Sequence, residues 1–239
     1  MNLKLNIGRR EIMFLAKNYL EINIFINIYM TSFESLISNH YYINLDSRND
    51  RLISCENELK KIGLDRPNRF SAIKNEVGIV GCGLSHLKCL MEAKKDNLPY
   101  IAIFEDDIII SKPNQVKNIV NRILENNVQW DVLCLAGNAF KPHKEEHDDY
   151  VVVNKMFCGT AYIVKSSFFD VMIENIKIGL NNLMRTGNRD FSWDAWWIKL
   201  QRDYRFILIN PLSIYQKPDY SDIEKKVVDY KNLMLNNEK

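Results

Sequence analysis

From residue 40 onward, the chain alternates between short apolar segments and amphipathic segments, and this alternation restricts the folds open to it. Residues 40–45 (HYYINL), 69–73 (RFSAI) and 100–104 (YIAIF) have the length and apolar character of buried strands. Each is followed by a segment with the apolar spacing of a helix. Because a strand, a helix and a further strand in succession form parallel crossovers, we expect an α/β fold with helices on both faces of a mixed, mostly parallel sheet.

The second half of the chain predicts a less regular arrangement, in which two strand segments suggest a hairpin or a mixed sheet. The expected elements are, in chain order, strands at 130–137, 150–157 and 160–166, helices at about 167–178 and 192–203, and a final strand at 205–215. No repeat or low-complexity segment interrupts the sequence. One domain over residues 31–239 therefore accounts for the chain, with residues 1–30 as an N-terminal extension.

The overall composition excludes some classes of function. Charged residues make up 26% of the chain and hydrophobic residues 46%, which is ordinary for a globular protein. The net charge of +2 excludes a strongly cationic surface that coats nucleic acid. The five cysteines form no CxxC pair, so we expect reduced thiols in a cytoplasmic protein, with neither disulfides nor a zinc site.

Residues 11–30 are apolar enough to raise the question of a membrane segment. Charged and amide side chains interrupt this stretch, whereas a spanning helix needs about 20 predominantly apolar residues. It also lacks the small-residue cleavage site of a signal peptide. We expect no transmembrane segment here, but a peripheral helix or a poorly packed extension, with Met30 as an alternative start. An amphipathic segment in weak contact with a membrane surface is the other interpretation.

Three consecutive acids, Glu105, Asp106 and Asp107, follow directly after the apolar run YIAIF. An ionised carboxylate is costly to bury without a partner. Ligands of open α/β sheets lie outside the carboxyl ends of the strands, and carboxylate oxygens suit a hard divalent cation. The acids therefore suggest a cation site. The alternative is a surface turn with three solvated acids.

One long polar segment, residues 141–150 (KPHKEEHDDY), carries His143 and His147 among several acids. Metal binding by these histidines would need helical spacing, whereas the stretch looks irregular and follows Pro142. We interpret the segment as a solvated loop. In an enzyme such a loop would serve as a lid or in acceptor recognition.

Several short motifs occur in a fixed order along the chain. They are YYINLDSRNDRL, GCGLSH, IFEDD, WDVLCLAG, GTAYIV, SWDAWW and QKPDYSDI. The ordered set, from about Tyr41 to Ile223, resembles glycosyltransferase family 25. That family includes bacterial lipooligosaccharide galactosyltransferases and collagen hydroxylysine galactosyltransferases. The resemblance implies a single GT-A-type, Rossmann-like domain.

The resemblance places a donor site at the end of the first strand. The helix N-terminus after INLDSRNDR, together with Arg48 and Arg51, would face a diphosphate. Asn44 and Asp46 would read the base and the ribose. The alternative is a helix capped by Asp46 or Ser47, with two solvated arginines.

Two further motifs add residues to this donor site. Gly81 and Gly83 of GCGLSH permit a tight turn, which would place Ser85 and His86 in the first turn of the next helix. His86 would hydrogen bond the nucleotide-sugar or orient an acid, and a structural histidine is the alternative. Gln216 would close over the donor, unless the C-terminal segment serves only in packing.

The EDD run resembles the family's version of the DxD motif of GT-A enzymes. On this basis Glu105 and Asp107 would hold Mn²⁺ or Mg²⁺ between the two phosphates of a UDP-sugar. Asp106 would instead bind the ribose or the sugar of the donor. Asp194 of SWDAWW would be the general base that takes the proton of the acceptor hydroxyl, and its alternative role is an N-cap.

The acceptor side is less determined by the motifs. In GTAYIV, Thr160 and Tyr162 are either acceptor contacts or core residues. The sequence departs from the family pattern most at residues 141–150 and 179–189, where the acceptor would be read. Acceptor identity is therefore less constrained than the chemistry.

Taken together, these inferences predict an inverting, metal-dependent glycosyltransferase that moves galactose or glucose from a UDP-sugar to a hydroxyl. The expected partners are a nucleotide-sugar donor and an acceptor on a glycan, a lipooligosaccharide or a hydroxylysine-type side chain of a glycoprotein. The expected location is the cytoplasm of a bacterium, or of the host cell if the protein is viral. An inactive nucleotide-sugar or carbohydrate-binding protein is the alternative. A metal-dependent phosphohydrolase would require a second cluster of metal ligands, and none is convincing.

Overall fold

The computed structural model describes residues 32–236, in which a large sheet carries helices on both faces. The strands are β1 (His40–Asn44), β2 (Arg69–Ser71), β3 (Tyr100–Glu105), β4 (Ile108–Ile110), β5 (Val132–Cys134), β6 (Asn138–Ala139), β7 (Glu145–Glu146), β8 (Tyr150–Val152), β9 (Met156–Phe157), β10 (Ala161–Lys165), β11 (Phe206–Ile209), β12 (Ile214–Gln216), β13 (Asp219–Ser221) and β14 (Lys226–Val228). The helices are α1 (Phe33–Ser38), α2 (Asn49–Lys60), α3 (Gly78–Lys95), α4 (Pro113–Glu125), α5 (Phe169–Thr186), α6 (Trp193–Trp196), α7 (Ile198–Asp203) and α8 (Lys231–Leu235). The predicted N-terminal extension and its apolar stretch lie outside the described residues.

The large sheet has eight strands in the order β2-β1-β3-β10-β5-β11-β8-β7. Strands β2, β1, β3, β5, β11 and β7 run in one direction, and β10 and β8 run against them. The predicted mixed, mostly parallel sheet is therefore confirmed. Three two-stranded sheets, β4 with β12, β13 with β14 and β6 with β9, lie beside it.

The central strand β3 shows why helices cover both faces. Ala102 and Phe104 pack into one cluster of buried residues, which includes the apolar sides of α1 and α4. Ile101 and Ile103 pack into a second cluster on the opposite face, with α3 and α5. Because successive side chains of a strand point to opposite faces, the apolar run of β3 contributes to both clusters.

Helix α4 follows its sequence signals closely. Pro113 occupies its first turn, where the missing backbone N–H has no intrahelical partner to lose. Val116, Ile119, Val120 and Ile123 recur at helical spacing and are buried. The predicted helix from Pro113 to about residue 126 is confirmed.

The prediction for GCGLSH is wrong in its local structure. Helix α3 begins at Gly78, so the motif lies within the helix and not in a turn before it. A Cβ on Gly81 would lie 2.5 Å from the carbonyl oxygen of Ile73, and one on Gly83 would lie 2.8 Å from Leu180 Cδ2. These glycines therefore serve close packing of the helix, which outweighs their low helix propensity.

The second half also differs from its predicted elements. Residues 205–215 form two strands in different sheets, β11 and β12, separated at Pro211, which has no backbone N–H for a sheet. Of the two expected arrangements, the mixed sheet is confirmed and the hairpin is wrong, because β8 pairs with β11 whereas β10 lies between β3 and β5. Helix α5 continues to Thr186, and residues 192–203 form two short helices in place of one. Part of the predicted solvated loop, Glu145–Glu146, pairs with β8 at the sheet edge.

None of the helices within residues 32–236 is long and apolar enough to cross a membrane.

Candidate active site

The predicted acidic cluster lies where two parallel strands end. Strands β1 and β3 are neighbours in the sheet, with Ile43 opposite Glu105, so their carboxyl ends share one edge. Strand β12 pairs with β4 directly after the acids and places Gln216 opposite Ile108. The Gln216 amide donates to Glu105 Oε2 at 3.3 Å. Two segments more than 100 residues apart in sequence are thereby joined at one site.

Arg51 of α2 is held against two of the acids. Its Nη1 lies 2.9 Å from Asp106 Oδ1 and 3.3 Å from Asp107 Oδ2. Its side chain is only 12% exposed, so the alternative of a solvated arginine is wrong. A guanidinium at this position offers a fork of donors to an anionic ligand at the strand ends.

A C-terminal hairpin, β13 with β14, lies over the arginines. Asp219 lies 3.2 Å from Arg48 Nη2 and 3.3 Å from Arg51 Nε, and Asp222 lies 2.6 Å from Arg48 Nη1. Arg51 Nη2 also donates to the carbonyl oxygen of Tyr220 at 2.9 Å. The guanidinium groups at this edge are therefore paired with carboxylates of the hairpin.

Asn44 and Asp46 are engaged by protein groups. Asn44 is 1% exposed, and its amide donates to Asp106 Oδ2 at 2.7 Å and accepts from Arg69 Nε at 3.0 Å. Asp46 accepts from Arg69 at 2.6 Å and from Ser71 at 2.8 Å. Helix α2 begins after Arg48 without a side-chain cap, so the alternative of a cap by Asp46 is wrong. Asn44 fixes the orientation of Asp106.

Asp107 carries an unsatisfied buried atom. Its Oδ1 is buried, and no hydrogen-bond partner for it exists among residues 32–236. Burial, and then the neighbouring Glu105 carboxylate, raise the pKa of Asp107. Burial, and then the charge of Asp194, raise the pKa of Glu105. Both pKa shifts follow first from burial and then from neighbouring carboxylates, which together outweigh the opposing charge of Arg51.

Three groups surround the carboxylate of Glu105. Besides Gln216 on Oε2, its Oε1 lies 3.3 Å from His86 Nε2 and 3.8 Å from Cys82 Sγ. His86 is fully buried in α3 and stacks on Trp193 with ring centroids 3.8 Å apart. Burial lowers the pKa of His86 to about 3, so its imidazole is neutral.

Ser85 is fully buried and has a structural role in the described residues. Its hydroxyl accepts from the backbone N–H of Ile73 at 2.8 Å and donates to the carbonyl oxygen of Gly81 at 2.7 Å. The loop before α3 is thereby tied to the helix. Both contacts engage the hydroxyl that was predicted to bind the donor.

Asp194 lies in α6, beside the same acids. Its Oδ2 accepts from the backbone N–H of Cys158 at 3.2 Å, and its Oδ1 accepts from Ser192 Oγ at 3.0 Å. The N-cap of α6 is Ser192, so the alternative N-cap role of Asp194 is wrong. Gly159 admits Trp193, because a Cβ at Gly159 would overlap the indole ring.

Two adjoining cavities meet at Glu105. One, of about 300 Å³, lies at the ends of β1 and β3, and the other, of about 390 Å³, lies towards α6. Both volumes fall in the range of small-molecule sites, about 300–1,000 Å³. The first is lined by Arg51, Asp106, Asp107 and His86, among others. The second is lined by Asp194, Ser192, Cys158 and Tyr230, among others. The wall common to both is formed by Cys82, Glu105, Gln216, Ser221 and Ile223.

Most of the predicted site residues are thus brought together. Asp107, Asp106 and Arg51 face the first cavity, and Asp194 faces the second. Asn44 lies behind them and donates to Asp106, whereas Asp46 pairs with Arg69 and Arg48 pairs with acids of α2 and of the C-terminal hairpin.

Comparison with models of known protein families shows which family this chain belongs to. Residues 1–177 match the model of glycosyltransferase family 25, described as an LPS biosynthesis protein. This chain belongs to glycosyltransferase family 25. The family 25 match includes the first 30 residues and ends before Asp194 and Gln216. The mixed, mostly parallel sheet agrees with the α/β architecture that the sequence of this glycosyltransferase predicted.

Several solved structures are similar to this family 25 glycosyltransferase. One is a glycosyltransferase involved in glycosylation of the major capsid of PBCV-1, with 7% identity, 78% of this chain and 95% of that chain covered, and a TM-score of 0.48. A UDP-glucose pyrophosphorylase complexed with UDP-glucose has 11% identity, 77% of each chain covered and a TM-score of 0.41. A Drosophila β-1,4-galactosyltransferase 7 variant in complex with manganese, UDP-Gal and xylobiose has 16% identity, covers 56% of this chain and 50% of that chain, and has a TM-score of 0.33. No curated protein matches the sequence.

The sequence motifs did not single out two residues that lie at the acidic edge of this family 25 protein. Cys82 lies in GCGLSH, four residues before His86, and a search for paired cysteines passes over such a thiol. Asp219 lies in QKPDYSDI, but its pairing with Arg48 and Arg51 joins positions about 170 residues apart. Only the helical spacing of Cys82 and His86 carried a signal in the sequence.

Proposed function

We propose that this glycosyltransferase is an inverting, metal-dependent hexosyltransferase that uses a UDP-sugar, with galactose or glucose as the transferred hexose. The proposed acceptor is a hydroxyl of a glycan, a lipooligosaccharide or a hydroxylysine-type side chain. The arrangement of two cavities around one acidic edge supports this proposal, because a transferase must hold a donor and an acceptor side by side.

The donor nucleotide is proposed to occupy the cavity at the ends of β1 and β3. Arg51 lines this cavity beside Asp106 and Asp107. A diphosphate suits a guanidinium fork better than a single carboxylate does, since it offers several acceptor oxygens. The hairpin acids Asp219 and Asp222 would then be displaced from Arg48 and Arg51 as the diphosphate binds.

The residues at the edge fit a divalent cation. Asp107 Oδ1 is a buried carboxylate oxygen with no hydrogen-bond partner in the described chain, and Glu105 lies beside it with a raised pKa. Oxygen donors of this kind suit Mn²⁺ or Mg²⁺. We assign Asp107 and Glu105 as ligands. When bound, the cation would neutralise charge on the diphosphate leaving group.

Asp194 is the proposed general base, on the acceptor side. It lines the second cavity together with Glu105, and the N–H of Cys158 and the hydroxyl of Ser192 hold its carboxylate in place. A base so placed can take the proton of an acceptor hydroxyl as the hydroxyl attacks the anomeric carbon, opposite the leaving phosphate. His86 and Gln216 position Glu105 between the two substrates.

The observation that carries the proposal is the buried, unpartnered Asp107 Oδ1 beside Arg51, at the carboxyl end of a sheet strand. UDP release from UDP-galactose and UDP-glucose tests it, with Mn²⁺ present and a panel of simple glycosides as acceptors. Wild-type protein should release UDP, whereas Asp107→Ala should not. Asp65→Asn, a change to an exposed acid in the loop before β2, is the matched control and should keep full activity. Full activity of Asp107→Ala would refute the assignment.

A further inference from the structure

A second set of metal donors lies on the wall between the two cavities. The ligand atoms of Cys82, His86 and Glu105 lie within 4.8 Å of one another. Cys82 and His86 lie one turn apart on α3, so their side chains share a face of the helix. Glu105 approaches this face from the end of β3. The three donors differ from the all-oxygen set proposed for the donor metal.

Two of the three donor pairs have the spacing expected around a tetrahedral zinc ion. His86 Nε2 and Glu105 Oε1 are 3.3 Å apart, and Cys82 Sγ and Glu105 Oε1 are 3.8 Å apart. With Zn–N and Zn–O bonds of about 2.0–2.1 Å and Zn–S bonds of about 2.3 Å, tetrahedral geometry places such pairs about 3.4 and 3.6 Å apart. These two pairs are thus spaced for an ion between them, and the third pair, Cys82 with His86, lies within 4.8 Å.

The surroundings of the three donors also suit a metal. His86 Nδ1 lies 2.8 Å from the Tyr162 hydroxyl. When an ion binds, this hydroxyl can accept a hydrogen bond from Nδ1–H, which leaves the Nε2 lone pair free for the ion. Gln216 holds the other oxygen of Glu105. Such outer partners fix the orientation of metal ligands.

We propose that Cys82, His86 and Glu105 form a Zn²⁺ site with an open fourth position. The thiolate and imidazole select zinc over the hard cations Mn²⁺ and Mg²⁺. Binding displaces the Cys82 thiol proton to solvent. Because Cys82 and Glu105 line both cavities, the ion has a path of entry and its open position faces the substrates. We expected no zinc site because the cysteines form no CxxC pair. That criterion does not exclude a mixed set of one cysteine, one histidine and one glutamate.

Glu105 belongs to both proposed metal sites, so the two ions compete for it. It follows that Zn²⁺ inhibits sugar transfer, and this consequence rests on the proposed function. Zinc binding itself requires neither donor nor acceptor. The two claims are therefore tested separately.

Titration of the metal-free protein with Co²⁺, followed by competition with Zn²⁺, tests the site directly. A thiolate-to-cobalt charge-transfer band should appear with one equivalent of Co²⁺ and disappear on addition of Zn²⁺. Cys82→Ser should remove the band and lower Zn²⁺ affinity more than about 100-fold, because loss of an outer partner alone costs about 10–100-fold. Tyr162→Phe, which keeps the ligands, should retain the band and lower affinity by about 10–100-fold.

Cys158→Ser is the matched control, because this second thiol also lies by the acids and contacts the Thr160 hydroxyl at 2.8 Å. It should retain the full band. Thermal unfolding verifies that each variant is folded, and Tyr162→Phe supplies an independent test if Cys82→Ser is not. A wild-type protein without the band would overturn the proposal, as would a band lost in Cys158→Ser and kept in Cys82→Ser. Zinc binding without inhibition of transfer would refute the competition at Glu105 and leave the site itself intact.

Discussion

Arg51 Nη1 lies 3.3 Å from Asp107 Oδ2, while the other carboxylate oxygen of Asp107 is buried without a partner in residues 32–236. The single guanidinium of Arg51 thus pairs with both Asp106 and Asp107, so one positive charge faces two carboxylates at this edge. A cation and a diphosphate would supply complementary partners, since the cation satisfies the acids and the phosphates satisfy the arginine.

The acidic edge predicts an unusual pH dependence of stability. The pKa values of Glu105 and Asp107 are raised by burial and by their neighbours, to about 7. The folded state therefore binds more protons than the unfolded state, and the contribution of these groups is present below about pH 4 and lost as the pH rises to about 7. In urea unfolding of metal-free protein, Asp107→Asn should gain stability relative to wild type between pH 5 and 8, by about 1–2 kcal/mol.

Addition of Mn²⁺ should make wild type more stable than Asp107→Asn. At pH 8 the ion should raise the free energy of unfolding of wild type, because it binds the folded state, and should leave Asp107→Asn unchanged. Equal pH profiles for the two proteins without metal would contradict the raised pKa of Asp107.

Arg51 should contribute strongly to binding of the diphosphate. Arg51→Lys keeps the charge but loses the planar fork, so UDP affinity should fall about tenfold or more. Calorimetric titration of UDP measures this change. Arg122→Lys is the control, because Arg122 pairs with Asp149 on the surface and should bind UDP like wild type. Unchanged affinity in Arg51→Lys would place the diphosphate elsewhere.

Asp194→Asn separates chemistry from donor binding. The amide can keep a hydrogen bond at this position but cannot accept the proton of the acceptor, so kcat should fall by about 10²–10⁴. UDP affinity should stay at its wild-type value, because Asp194 lies in the other cavity. Asp203→Asn, at an exposed acid, should change neither quantity. A loss of UDP affinity in Asp194→Asn would contradict the separation of donor and acceptor sites.

Gly159 should be required for packing and not for chemistry. A Cβ at this position would overlap the ring of Trp193, so Gly159→Ala should destabilise the fold by about 1–3 kcal/mol. Gly78→Ala adds a Cβ at ordinary contact distances within a helix and should be neutral or slightly stabilising. Thermal unfolding of both variants checks this. A Gly159→Ala protein with wild-type stability would mean that the indole is free to move.

The sequence predicted the elements whose signals are local. The apolar run of β3 followed by three acids, and the Pro113 start of α4, both lie within a few residues, and the structure has them as expected. The sheet-edge position of Glu105, Asp106 and Asp107 follows from the continuous apolar run that precedes them and from the α/β order of the elements.

What the sequence missed depends on contacts between distant segments. Asn44 is committed to Asp106, 62 residues away, and no local pattern distinguishes such an asparagine from one that binds a ribose. The position of Gly83 inside α3 likewise depends on its packing against Leu180, which outweighs its low helix propensity. The partners of buried polar groups are set by tertiary contacts, which leave no short-range pattern in the sequence.

The most direct test of the central claim is calorimetric titration of UDP into the purified protein, with and without Mn²⁺, repeated on Asp107→Asn. The account predicts that Mn²⁺ strengthens UDP binding to wild type and has no effect on the variant. The acids would then hold the cation that holds the diphosphate. If UDP binds equally well with and without Mn²⁺, or binds neither protein, the assignment of this edge as a metal-assisted donor site is wrong.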